Sequence, residues 1–281
     1  MKDKTIENNN PDNFEFIPAG KIPSPEEFAI FKKKMASLIN LDLTNYKSSQ
    51  MERRITSLMH RHNISSLMEY YHFLNKDSKH LTEFINMLTI NVTEFFRNPE
   101  KFLELETKYI PELMQKNQRL KVWSSGCSTG AEIYTLAMIL DKFNILEKCT
   151  LIASDFDQTA INKAKEGIFP MFELKSVPNE YKRHFKAIDN TEEKVQFNPH
   201  LISKVKFERR DLLNSRFETD FDLILCRNVV IYFTEEAKDH LYESFYSSLK
   251  PGGILFIGST ERINKSKELG FNLRSSFFYQ K

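Results

Sequence analysis

Five short runs of apolar residues, at 120–124, 150–154, 205–207, 221–226 and 253–257, alternate with segments of helical periodicity over the second part of this 281-residue chain. The run at 221–226 is continuous in apolar residues, not alternating, apart from Asp222. A strand that alternates can leave one face in water; a strand apolar on both faces must be covered on both. Strands of that kind separated by helices imply right-handed βαβ units and a mainly parallel sheet. The last apolar stretch, 277–279, follows a short segment at 271–274 with no room for a crossover helix, so the chain is expected to end in an antiparallel hairpin. Residues 168–204 break the alternation with three prolines and many charges, and read as an insertion between the second and third strands.

The region before Arg97 has a different texture. Residues 1–20 are polar and read as a flexible tail without a signal peptide. Ser24-Pro25-Glu26-Glu27 then combines an N-cap serine, a proline at the first helical position and a glutamate three residues after the cap. Phe28, Phe31, Met35, Leu38 and Ile39 follow at helical spacing. Further helices are expected over 45–62, 66–74 and 78–90, and another from Asn98-Pro99 to about residue 114. The expected organisation is a tail at 1–20, a helical domain at 21–97 and an α/β domain at 98–281 carrying the insertion at 168–204. No stretch approaches the ~20 apolar residues of a membrane span. Three widely spaced cysteines, Cys127, Cys149 and Cys226, form no CxxC pair and support neither a metal site nor a disulfide framework, which fits a reducing cytoplasm. The formal net charge of +2 carries no global field for nucleic acid.

Two adjacent strand ends are equipped for a ligand. The first strand leads into Ser124-Ser125-Gly126-Cys127-Ser128-Thr129-Gly130, and a glycine there lets a ligand approach the backbone. The second ends at Asp155, where doubly wound sheets place an acid for ribose hydroxyls. Each piece has a plain structural alternative: glycines for tight turning, and Asp155 as the N-cap of the next helix. The spacing does not match GxGxxG, which weighs against a nicotinamide-dependent oxidoreductase. The turn Leu249-Lys250-Pro251-Gly252-Gly253 before the fifth strand, with a terminal hairpin, resembles the class I methyltransferase fold, Rossmann-like but with a reversed last strand.

Four motifs make the resemblance specific. Asn91-Val92-Thr93-Glu94-Phe95-Phe96-Arg97 resembles the NxTxFFR signature of CheR-type chemotaxis receptor methyltransferases. Gly126-Cys127-Ser128-Thr129-Gly130-Ala131-Glu132-Ile133-Tyr134 is similar to that family's GCSTGEEPY, with Ala131 and Ile133 departing from it. Ala153-Ser154-Asp155-Phe156-Asp157 is similar to ASDxD, and Cys226-Arg227-Asn228-Val229-Val230-Ile231-Tyr232-Phe233 to CRNVxIYF. The resemblance spans about residues 25–281. It implies an enzyme that uses S-adenosyl-L-methionine, releases S-adenosyl-L-homocysteine and forms methyl esters on receptor glutamates.

By the same resemblance, Asn91, Thr93, Arg97, Gly126, Glu132, Asp155, Asp211, Leu212, Arg227 and Asn228 are expected around the cofactor. Asp155 would take the ribose hydroxyls; Asp211, in place of the family's asparagine, and Leu212 would flank the adenine. Arg97 and Tyr232 are expected to orient the substrate carboxylate, and the insertion would be the family's small β-subdomain. Phe95 and Phe96 are expected to be packing residues. Lys47, Arg53, Arg54 and Arg61 make a basic stretch with Glu52 as its only acid, suited to the helical, glutamate-rich region of a receptor. No second subunit is called for. A non-catalytic, cofactor-sensing module is the competing reading.

Overall fold

Ser24 opens the first helix as its surroundings dictate. Its side chain accepts the Glu27 N–H at 3.3 Å, and Glu27 accepts the Ser24 N–H at 2.7 Å. This is the start of α1 (Pro25–Ile39), in a computed structural model that describes residues 23–89, 93–188 and 193–281. The tail expected at 1–20 and Asn91 lie outside the described residues. After α1 come α2 (Ser48–Arg61), α3 (Leu67–Lys76) and α4 (Ser78–Thr89). Residues 23–43 and 48–84 form one compact unit. Its core is aromatic: Phe31 stacks on Tyr70 with ring centroids 6.1 Å apart and meets Phe84 edge-on. Buried Lys32 is held by Ser48 Oγ at 2.8 Å and Glu52 Oε1 at 2.7 Å.

The second unit takes in residues 85–281 together with the four residues 44–47. It starts with α5 (Pro99–Glu104), a π-helical turn over Leu105–Tyr109 and α6 (Ile110–Lys116). The turn has a local cause. Pro111 has no N–H for the Thr107 carbonyl, and the Ile110 N–H bonds back five residues to the Leu105 carbonyl. Next follow β1 (Lys121–Ser125), α7 (Ala131–Lys142), β2 (Thr150–Asp155) and α8 (Gln158–Glu166). The insertion holds β3 (Ile168–Pro170), β4 (Phe185–Ala187), β5 (Lys194–Phe197) and α9 (Pro199–Ser203). The chain closes with β6 (Val205–Arg209), β7 (Phe221–Cys226), α10 (Glu235–Ser248), β8 (Leu249–Ile257), β9 (Asn272–Ser275) and β10 (Phe278–Gln280).

Seven strands form one sheet in the order β6-β2-β1-β7-β8-β10-β9. The first five are parallel; β10 runs antiparallel between β8 and β9. Successive residues of a strand serve opposite layers. Val122, Leu223 and Leu225 join the core that includes Leu136, Leu140 and Phe102, whereas Trp123, Ile224 and Cys226 join that of Leu241 and Phe245. The insertion forms its own antiparallel sheet, β3-β5-β4, and adds Phe169, Tyr181, Val195 and Phe197 to the first of these cores. Phe95 and Phe96 are buried there too, edge-on to Phe169 at 4.8 Å and beside Tyr181 at 5.0 Å, so both are packing residues.

Asp222, the polar intruder in β7, is satisfied rather than tolerated. Its carboxylate takes the Lys121 N–H at 2.7 Å and both oxygens meet Lys250 Nζ, at 2.9 and 2.8 Å. Lys250→Met would leave a buried charge with one backbone donor, and a loss of about 1–3 kcal/mol is expected in thermal or denaturant unfolding. Adding Asp222→Asn, which can still accept from Lys121, should recover much of that loss; a double variant no better than the single one would contradict this assignment.

Candidate active site at the carboxyl edge of the sheet

The loop leaving β1 is shaped by its neighbours. The Gly126 and Cys127 N–H groups both bond the Ser154 carbonyl of β2, at 2.8 and 2.9 Å. Gly126 sits at φ +77°, and a Cβ there would lie 2.4 Å from Val229 Cγ2. The position is therefore closed to larger residues by both backbone conformation and space. Asp155, at the end of β2, accepts the Ser128 N–H at 2.8 Å and the Asp157 N–H at 2.9 Å, tying the two loops together. The N-cap role falls to Asp157, whose Oδ1 takes the Thr159 N–H at 2.7 Å. That separates the two acids of the motif. Asp157 starts the helix, and Asp155, its carboxylate still offering lone pairs, remains at the strand end.

Opposite this loop lies Arg227, its side chain 2% exposed. Nη2 donates to the Arg97 carbonyl at 2.7 Å and to Asn98 Oδ1 at 2.8 Å; Nη1 reaches Glu132 Oε2 at 3.4 Å. The guanidinium also lies over the rings of Phe256 and Phe102, at 4.6 and 5.0 Å. Glu132, in the first turn of α7, takes a further bond from Ser124 Oγ at 2.7 Å. Burial raises the pKa of Glu132, opposed by Arg227, by Ser124 and by the nearby Arg97 charge. Burial likewise lowers that of Arg227, opposed by Glu132. Arg97, Glu132 and Arg227 thus form one electrostatic group drawn from three parts of the chain. Asp155 is also raised, burial outweighing its backbone donors.

The remaining sequence-derived residues divide. Thr93 is half-buried in the stretch leading to Arg97. Asn228 follows Arg227 in the left-handed region at φ 59°, and its Oδ1 is buried with no partner among the described residues, as is Ser128 Oγ. Asp211 is engaged locally: its carboxylate accepts from the Leu213 N–H at 2.9 Å and Asn214 Nδ2 at 2.6 Å, and Leu212 packs partly buried on the Trp123 side of the sheet. Tyr232 ends a 3₁₀ turn, Val230–Tyr232, and packs partly buried on that same side. Arg53, Arg54 and Arg61 lie on α2, in the helical unit. Lys47 precedes α2 and donates its backbone N–H to the Tyr232 carbonyl at 2.9 Å, so the helix expected from residue 45 starts at Ser48.

Two further residues near these segments carry no signature in the sequence motifs. Tyr46 forms a β-bridge with Phe233 and meets its ring edge-on at 5.1 Å. Its phenol pKa is raised by burial and then by the charges of Asp211 and Asp155. Glu261 follows β8 and is buried beside the Asn228–Val230 backbone. An acid placed just beyond a strand end is the one hint the sequence gives for it.

The donor set fits S-adenosyl-L-methionine. Buried carboxylates at Glu132 and Asp155 suit an ammonium and a pair of hydroxyls, the unpartnered Asn228 Oδ1 suits a further donor, and Gly126 leaves backbone open to approach. Comparison with known proteins agrees. Residues 91–277 match the model of the CheR methyltransferase SAM binding domain, and residues 26–89 that of the CheR methyltransferase all-alpha domain. A chemotaxis protein methyltransferase of Listeria monocytogenes is 36% identical over 262 residues, covering 92% of this chain and 99% of that protein. One from Borreliella burgdorferi is 31% identical, covering 90% and 93%, and chemotaxis protein methyltransferase 1 of Pseudomonas aeruginosa is 31% identical, covering 85% and 90%. Both parts of the chain are matched, and the buried group around Arg227 lies within the matched region: the chain belongs to the CheR methyltransferase family and is an S-adenosyl-L-methionine-dependent methyltransferase.

Proposed function

We propose that this methyltransferase esterifies glutamate side chains in the helical cytoplasmic region of chemotaxis receptors. The observation that carries the reading is the grouping of Arg97 with the Arg227–Glu132 pair beside the loop that follows β1. A site for an anionic nucleophile needs a cation held at its edge, and here Arg227 is bound up with Glu132 and Asn98 while the Arg97 charge lies nearby. Glu132 would hold the amino group of the cofactor, Asp155 its ribose hydroxyls, and Asn228 a further donor. When bound, the cofactor supplies an electrophilic methyl group on a positively charged sulfur.

What the chain itself must do is aim and shield. A glutamate with a pKa near ~4.3 is already ionised at neutral pH, so no general base is required. Arg97 would fix the plane of the carboxylate with two parallel donors, and Tyr232 would add a hydroxyl. Correct alignment of reacting atoms is worth up to ~7–11 kcal/mol. Arg97 would supply the positive field at this edge, because Arg227 spends its charge on Glu132. For recognition, α2 carries Arg53, Arg54 and Arg61, the last also paired with Glu83 at 3.2 Å, as the cationic residues an acidic helix would meet, and Glu52 is withdrawn from that stretch by Lys32.

Incubation of the purified protein with labelled S-adenosyl-L-methionine and receptor-containing membranes should place base-labile label on receptor; stable label, or none, would refute the ester. Arg97→Ala is expected to lower kcat about 10²-fold with an unchanged melting temperature, and wild-type turnover in that variant would remove Arg97 from the role. The rate should be level from about pH 7 to 9 and fall on the acid side. Burial raises the pKa values of Glu132 and Asp155, so as pH drops they take up protons sooner than ordinary carboxylates and lose their hold on the cofactor. A rise governed by a group titrating near pH 7 would require a base this reading lacks. Reversing Arg54 and Arg61 to glutamate should raise KM for receptor and leave S-adenosyl-L-homocysteine affinity alone; equal loss of both would mean misfolding.

A further inference from the structure

Strands β7 and β8 leave the sheet side by side, with Cys226 paired to Ile257. From the first emerges the Arg227–Tyr232 loop; from the second, Gly258-Ser259-Thr260-Glu261. Glu261 turns back on its own segment, its N–H bonding the Gly258 carbonyl at 3.1 Å. Its carboxylate then collects backbone donors from both segments. Oε1 accepts the N–H groups of Val229 at 2.9 Å and Val230 at 3.1 Å, and Oε2 that of Gly258 at 2.6 Å. The fit is close on every side: a Cβ at Gly258 would lie 2.7 Å from Oε2 and 2.8 Å from the Asn228 nitrogen.

Glu261 is 7% exposed, and among the described residues no lysine or arginine is bonded to it. A buried carboxylate without a salt bridge is costly unless peptide dipoles replace its water, and here they do. What those bonds hold is the segment that carries Asn228 in a left-handed conformation and delivers Tyr232 to its turn. Left without Glu261, three buried N–H groups would have to find other partners, and the loop would relax.

We propose that Glu261 is a positioning residue, an anion that locks the Arg227–Tyr232 loop into the shape that receives cofactor and substrate. The inference rests on the reading of that loop as part of the methyl-transfer site. Glu261→Gln keeps the volume but turns one acceptor oxygen into a donor. Hydrogen exchange of the free protein over 228–230 should become about ten-fold faster in this variant, the Kd for S-adenosyl-L-homocysteine should rise about ten-fold at full stoichiometry, and kcat should fall while KM for receptor holds. Glu261→Asp keeps the charge and draws it back by one methylene; it should fall between the two. Variants matching the wild type in both Kd and kcat would overturn the inference. So would a drop in binding stoichiometry alone with Kd unchanged, since that reports partial unfolding. Wild-type protein that takes up no S-adenosyl-L-homocysteine would overturn the cofactor reading and this inference with it, whereas wild-type binding beside indifferent variants would overturn this inference alone.

Discussion

A guanidinium almost wholly removed from water is the constraint around which the rest of this site is arranged. Arg227 can occupy its position because most of it is answered, all but Nε among the described residues: Glu132 and Asn98 by charge and amide oxygen, Arg97 by its carbonyl, Phe102 and Phe256 by ring faces. Removing one partner from such a pair leaves an uncompensated buried charge, at a cost of about 3–5 kcal/mol. These partners come from the stretch before α5, from α5 itself, from α7 and from β8. The ion therefore fixes the mutual placement of these segments, and its charge is spent on Glu132.

The sheet was legible because burial on both faces leaves an unmistakable mark. Strands such as Phe221–Cys226 have no polar face to keep, and a terminal pair too close for a crossover has to reverse. The capping box at Ser24 and the packing role of Phe95 and Phe96 followed from local rules for the same reason: the deciding partners are near in sequence or are simply apolar.

What escaped the sequence is governed by partners without side-chain identity. Glu261 binds peptide N–H groups, and every residue but proline offers one, so no pattern announces the contact. Tyr46 bridges to Phe233 across most of the chain, and that bridge also explains why the helix expected over 45–62 begins only after Lys47. Asp211 shows a third limit. Its resemblance-based role concerns a ligand, whereas the structure first satisfies its carboxylate with Leu213 and Asn214, the donors that a turn places nearest.

The four residues 44–47 belong to the sheet-containing unit although the chain on either side of them, 23–43 and 48–84, belongs to the helical one. The Asn45 carbonyl accepts the Thr234 N–H at 2.9 Å, so the segment serves as a borrowed scrap of edge strand for the Tyr232–Thr234 stretch. A helical module swapped in from a relative by a single splice downstream of α4 would import a foreign tetrapeptide into the catalytic half. Grafts that respect the architecture need three junctions, so that this short piece keeps its original sequence while the helices around it change.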